Sequence, residues 1–171
     1  MNNLFPVFLK LENLRLLIVG GGYVGMEKLQ AVLSNSPATS IKLVAKNIST
    51  EIRELSKSYP HLQLIEKEYG IGDLNDVDVA IAAINDPTVS KQVVDDARTL
   101  GILVNAADKP DLCDFYLGSV VKKGDLKIAI STNGKSPTAA KRIKEMLNEV
   151  LPQELDVVIN VDSRGFETGD N

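Results

Sequence analysis

Leu16-Leu17-Ile18-Val19-Gly20-Gly21-Gly22-Tyr23-Val24-Gly25 is an apolar run that discharges directly into Gly-x-Gly-x-x-Gly and then into a helix-compatible segment. That order reads as strand, tight turn, helix. Gly20 allows the turn, Gly22 lets the backbone approach a pyrophosphate, and Gly25 lets the helix pack closely on the strand, with the anion at the helix N-terminus. A structural glycine turn carries the same letters. What separates the two is context, and the placement after a buried-strand pattern predicts a dinucleotide site.

Working outward, Leu4 to Leu9 reads as a short extended segment and Leu14 to Val19 as a strand. A helix from about Val24 to Ser34 ends at Ser34-Asn35-Ser36-Pro37, and Ile41 to Ala45 supplies the next strand. A helix over Thr50 to Ser58 and a strand over Leu62 to Ile65 follow. Val77 to Ile84 is an apolar run suited to a strand buried on both faces of a parallel sheet. Asn85 or Asp86 caps a helix over Thr88 to Leu100, with Pro87 in its first turn and Gly101 beyond its end. Ile102 to Ala107 is the next strand. Strands and helices that alternate in this way predict an α/β fold, a Rossmann-type doubly wound parallel sheet with its crevice at the strands' C-terminal ends. The crevice rim is then 20–25, 45–47, 83–86 and 105–108, which makes Gly20, Gly22, Tyr23, Val24, Gly25, Lys46, Asn47, Ala83, Asn85 and Asn105 the candidate cofactor contacts.

After Pro110 the rhythm changes. Phe115 to Val121 and Leu126 to Ser131 read as two strands joined by a four-residue turn at 122–125, and a helix over Pro137 to Val150 follows behind Ser136-Pro137. The expected division is a dinucleotide-binding domain over 1–112, a hairpin and helix over 113–152, and an acidic tail over 153–171 with one strand at Val157 to Val161.

With 171 residues the chain can bury a core without staples. The single cysteine, Cys113, cannot close an internal disulfide, and no Cys/His spacing suggests a resident metal, so a reducing, cytoplasmic setting is expected. Lys10, Glu12 and Arg15 interrupt the first residues, so no signal-peptide core is read there, and no apolar run reaches the roughly 18 residues of a membrane span. A net charge of -4 gives no reason to expect nucleic acid.

The usual fingerprint places an acid at the end of the second strand to bind the ribose. Here Ala45-Lys46-Asn47 stands there; a lysine favours the 2′-phosphate of NADP, while Asn47 suits either ribose. Asp108, following Val104-Asn105-Ala106-Ala107 at a strand's C-terminal end, is the candidate catalytic base, with a turn-forming role as the plainer reading and Asp111 and Asp114 as competitors. Between Phe115 and Lys144 seven basic residues face one acid, a local charge of +6 that would draw a polyanion or simply coat a solvated face. Ser131, Asn133, Lys135 and Ser136 precede a helix and form a candidate carboxylate-binding nest with potentially free amides.

Phe5 to Leu11, Leu17 to Lys28, Ala80 to Asp86, Val104 to Asp108 and Ile128 to Pro137, in that order, resemble the precorrin-2 dehydrogenase/sirohydrochlorin ferrochelatase family, the N-terminal module of sirohaem synthases. The resemblance spans about residues 4 to 152. It implies NAD-dependent oxidation of precorrin-2 to sirohydrochlorin, in some members followed by insertion of Fe2+ as a substrate. It also implies that Asp108 is the essential aspartate and that Gly22, Tyr23, Val24, Lys46 and Asn47 contact NAD, which overrides the NADP leaning drawn from Lys46. Members are homodimers that exchange the hairpin region, so 115–131 is expected to be a dimerisation module. Many members continue past the position of Pro152 with a helical domain where this chain has a short acidic tail; the expectation is weak or absent chelation with dehydrogenation retained. The rival class is a module that senses NAD or carries a tetrapyrrole without turning it over.

Overall fold

The computed structural model describes residues 2–152, and these form two compact units, 6–117 and 2–5 with 118–152. The strand expected over 157–161 lies outside the described residues.

In the larger unit β1 (Arg15–Val19), α1 (Tyr23–Asn35), β2 (Ser40–Ala45), α2 (Thr50–Ser56), β3 (Leu62–Glu66), β4 (Val79–Ala82), α3 (Pro87–Thr99) and β5 (Leu103–Ala106) follow one another along the chain. The five strands are all parallel, in the order β3-β2-β1-β4-β5. Starting at β1 the chain first winds toward β3 and then resumes on the other side at β4. The order therefore reverses between β1 and β4, as in a doubly wound sheet.

Alternation along β1 builds the two layers. Leu16 and Ile18 join Leu29, Val32 and Leu33 of α1 and Ile52 of α2 in one core, while Leu17 and Val19 join Val93, Val94 and Ala97 of α3 in the other. Leu17 and Ile18 are wholly buried, one on each face, which is why β1 reads as an unbroken apolar run instead of an alternating one. Each such side chain contributes about 1.5–3 kcal/mol through its removal from water.

Local chemistry sets the helix ends. Ser49, which the sequence reading passed over, caps α2 by accepting from the Ile52 amide at 3.4 Å. Asp86, not Asn85, caps α3, accepting from the Thr88 and Val89 amides with Pro87 in the first turn, and Gly101 follows the helix at φ +70°.

Two expected strands change. Residues 2–10 carry no strand: no neighbouring strand supplies hydrogen bonds, and Phe5 and Phe8 stand exposed. The 77–84 run narrows to Val79–Ala82, the length over which β1 and β5 offer partners. The units divide between Leu117 and Gly118, five residues past the expected boundary. Residues 113–117 stay with the sheet because the Asp114 amide donates to the Val104 carbonyl at 2.8 Å and Asn105 donates to the Phe115 carbonyl at 2.8 Å.

The smaller unit contains β6 (Ser119–Lys123), β7 (Leu126–Ile130) and α4 (Pro137–Val150). The ribbon is antiparallel with Lys123 opposite Leu126, so its turn has two residues, Gly124-Asp125, instead of the four expected. Gly124, at φ +56°, supplies the left-handed conformation that a tight hairpin demands at its first central position. Ser136 caps α4 through the Ala139 amide, and Val121 and Ala140 are buried where helix and ribbon meet.

Candidate functional site

Where the strand order reverses, the C-terminal ends of β1, β2 and β4 surround a cleft of about 480 Å3. Residues 19–24 of the glycine turn, 44–47 after β2 and 83–86 after β4 line it, joined by Glu68, Tyr69, Val89 and Gln92.

The glycines carry three separate constraints. Gly20 sits at φ +128°, and a Cβ there would collide with the Ala83 carbonyl oxygen, because β1 and β4 lie hydrogen-bonded at this point. At Gly25 a Cβ would collide with the Gly20 carbonyl oxygen, so the missing side chain is what lets α1 start against the end of β1. A Cβ at Gly22 meets nothing within 4 Å, and no side chain caps α1 at this residue. Open space over Gly22 and a helix start without a side-chain acceptor form a cradle that fits a pyrophosphate at the positive end of the helix dipole. Gly21, an unspecified position in the motif, is constrained as well. Its carbonyl accepts from the Ser49 amide at 2.9 Å, and a side chain would strike the Asn47 carbonyl.

Of the ten expected cofactor contacts, Gly20, Gly22, Tyr23, Val24, Lys46, Asn47, Ala83 and Asn85 line this cleft. Gly25 lies buried beneath the turn. Asn105 is buried too, its amide donating to the Phe115 carbonyl, so it holds the segment after β5 and does not reach the cleft. The 105–108 stretch, expected on the rim, is absent from the lining.

Glu68, Tyr69, Val89 and Gln92 line the cleft from outside the segments that the sequence places at its rim. Lys46 Nζ pairs with Glu68 Oε1 at 2.9 Å, and this bond raises the lysine pKa and lowers that of the acid. Tyr69 donates its hydroxyl to Asp96 Oδ2 at 3.1 Å; burial and then this carboxylate push its pKa far above the ordinary phenol, so it remains a donor. Val89 and Gln92 come from α3. No local pattern in the sequence marks Glu68; it enters the cleft because the β2–β3 register sets Ala45 beside Glu66, so that the residues just past both strands become neighbours.

Asp108 follows β5 with φ +58°, a left-handed conformation that aspartate and asparagine adopt more readily than other non-glycine residues. It is exposed, and no hydrogen bond or ion pair engages its carboxylate among the described residues. Asp114 is committed elsewhere: Oδ2 accepts the Val104 amide at 3.0 Å and Oδ1 pairs with Arg98. Asp111 is exposed in the short turn Pro110–Leu112. Cys113 bonds through Sγ to the Ala106 amide and carbonyl, and burial raises its pKa, so it serves the packing of the loop after β5. Beside Asp108, the Lys109 ammonium is shielded from solvent without a hydrogen-bond partner among the described residues.

Ser131, Asn133, Lys135 and Ser136 belong to the smaller unit. Their amides are less available than expected. Asn133 donates to Ser131 Oγ, Ser136 to Thr132 Oγ1 and Lys135 to the Thr132 carbonyl, so the loop before α4 satisfies itself. Asn133 and Gly134 are both left-handed, at φ +55° and +72°.

No helix of the described residues is long and apolar enough to cross a membrane. Among the same residues, no group of three or more His, Cys, Asp or Glu side chains is arranged to hold a metal.

A parallel sheet with this order and an uncapped glycine turn at its switch point define a Rossmann-type dinucleotide-binding protein. The family described as "Putative NAD(P)-binding" matches residues 7–119, and the sirohaem biosynthesis protein central family matches residues 123–149. Siroheme synthase of Psychrobacter cryohalolentis is 40% identical over 151 residues, covering 88% of this chain and 28% of the relative. That of Nitrosomonas europaea is 33% identical over 147 residues, covering 86% and 30%. The chain thus spans less than a third of the length of these curated relatives. The solved structure of SirC, a precorrin-2 dehydrogenase, superposes with a TM-score of 0.73 at 31% identity, covering 89% of this chain and 73% of that one. The chain belongs to the NAD(P)-binding family of sirohaem biosynthesis that includes SirC.

Proposed function

We propose that the protein is an NAD-dependent precorrin-2 dehydrogenase that oxidises precorrin-2 to sirohydrochlorin. The observation that carries this is the pyrophosphate cradle, with open space over Gly22 and an uncapped α1, in a chain 31% identical to a precorrin-2 dehydrogenase. Bound at the cleft, the nicotinamide supplies a hydride acceptor. The glycine turn and the α1 amides would hold its diphosphate, with residues 44–47 and 83–86 lining the same cleft. Asp108, exposed and unengaged, takes the proton that leaves the substrate carbon skeleton and returns it to solvent. The oxidation removes a hydride and a proton from the substrate; a bound NAD+ would supply the acceptor for the first and Asp108 accepts the second.

Ser131, Asn133, Lys135 and Ser136, within the basic stretch of the smaller unit, contact the substrate carboxylates in this proposal. The working form is a homodimer that exchanges the β6–β7 ribbon. What supports an interface here is the exposed apolar stripe that Ile143, Met146 and Val150 form on α4. A cytoplasmic location belongs to the same reading.

The test is to mix folded protein with precorrin-2 and NAD+. NADH absorbance and the sirohydrochlorin spectrum should appear together, and binding of both compounds without turnover would instead make the protein a carrier or sensor. Sedimentation at micromolar concentration should show a dimer, and a clean monomer would remove the exchanged ribbon. With sirohydrochlorin and Fe2+ or Co2+ as substrates, insertion is expected to stay near the uncatalysed rate, since no ligand cluster among the described residues delivers the ion. A rate well above that control and lost in Asp108→Ala would make the protein bifunctional.

A further inference from the structure

Lys46 stands at the end of β2, the place from which a side chain of this fold reaches the ribose 2′ substituent. Alone there, an ammonium would attract the 2′-phosphate of NADP. It is not alone. The β2–β3 register sets Ala45 beside Glu66, and the Lys67 amide donates to the Ala45 carbonyl at 2.9 Å, so the chains run on side by side past both strands. This brings Glu68 Oε1 to 2.9 Å from Lys46 Nζ, with both residues lining the cleft. Asp86, from the turn after β4, lines the same cleft and acts electrostatically on the same lysine. That corner therefore carries two carboxylates against one ammonium.

We propose that Glu68 is the residue that selects NAD over NADP, by occupying the Lys46 ammonium and presenting a carboxylate where the 2′-phosphate would have to lie. This rests on the cofactor reading of the cleft given above and deepens it. A phosphate approaching the corner must displace Glu68 from Lys46 and remain close to its charge, with Asp86 adding to the repulsion. A ribose bearing a free hydroxyl meets an acceptor instead, the role a strand-end acid plays in the usual fingerprint. Here the acid comes from the segment after β3. The carboxylate is supplied by the sheet's register and not by the residue that follows β2.

The experiment measures dissociation constants for NAD+ and NADP+ by titration calorimetry at low ionic strength, where exposed charges are least screened. The intact chain should bind NAD+ at least about tenfold more tightly than NADP+. Glu68→Gln should narrow that ratio by about tenfold, chiefly through tighter NADP+ binding to the released lysine. Lys46→Gln combined with Glu68→Gln should erase the gain, because no cation remains. Both side chains are exposed, and coincident urea transitions will verify that the variants fold. Equal affinities in the intact chain, or an unchanged ratio in Glu68→Gln, overturn the assignment while leaving the dinucleotide site standing. Failure of the intact chain to bind either dinucleotide overturns the cofactor reading and this inference with it.

Discussion

The carbonyl oxygen of Gly20 occupies the space that a side chain at Gly25 would need. Strand β1 and helix α1 are thereby locked at one separation, and the amides of the first helical turn are aimed by that contact. Gly25→Ala should destabilise the fold by about 2 kcal/mol, since the obstacle is backbone with little room to yield. A lowered urea midpoint with unchanged m-value checks this, and NAD+ affinity should fall with it. A stability within about 0.5 kcal/mol of the parent would show that the helix can shift.

Asp108→Asn separates chemistry from conformation. Asparagine tolerates the left-handed φ of +58°, so the turn after β5 should survive and the unfolding midpoint should hardly move. Removal of a general base should cost about 10²-fold or more in NADH formation from precorrin-2, with NAD+ binding kept. Near-normal turnover would move the proton to another group, Asp111 first.

Ser90 lies in α3 almost wholly buried, and its hydroxyl has no partner among the described residues. Ser90→Ala should therefore stabilise the protein by about 1 kcal/mol, through relief of an unsatisfied polar group and better helix propensity. Chemical denaturation reads the change. A loss of stability would mean that the hydroxyl finds a partner in solution.

Asp78 accepts from the Arg15 amide at 2.8 Å and from its guanidinium at 3.1 Å, bonds that hold its pKa at about 2 against an ordinary 3.8. The folded value lies below the unfolded one, so the contribution is present above about pH 4 and disappears as pH falls from 4 toward 2. Asp78→Asn should flatten the acid limb of the stability curve over that window. An unaltered limb would place the acid sensitivity with other carboxylates.

These residues differ in how far they could be anticipated. Asp86 and Pro87 announce a helix start through bonds made within three residues, and the sequence reading erred only in leaving Asn85 as an alternative cap. Asp78 sits inside an apolar run and gave no sign of its role, because its partner Arg15 comes from the neighbouring strand, 63 residues away.

The sequence by itself determined the sheet, the glycine turn and the cleft. Each is written in a local pattern of residues: the unbroken apolar run Leu16 to Val19, the spacing of Gly20, Gly22 and Gly25, and the Asp86-Pro87 start of α3. Only the tertiary structure decided which polar residues are available at the site. Asn105 and Asp114 looked as free as Asp108 until the segment after β5 folded back and consumed their hydrogen-bonding groups. Glu68 became a cleft residue only through the register of β2 against β3. Such pairings depend on which strands lie side by side and at what offset, and that is settled by packing of the whole sheet, not by the neighbours of any one residue.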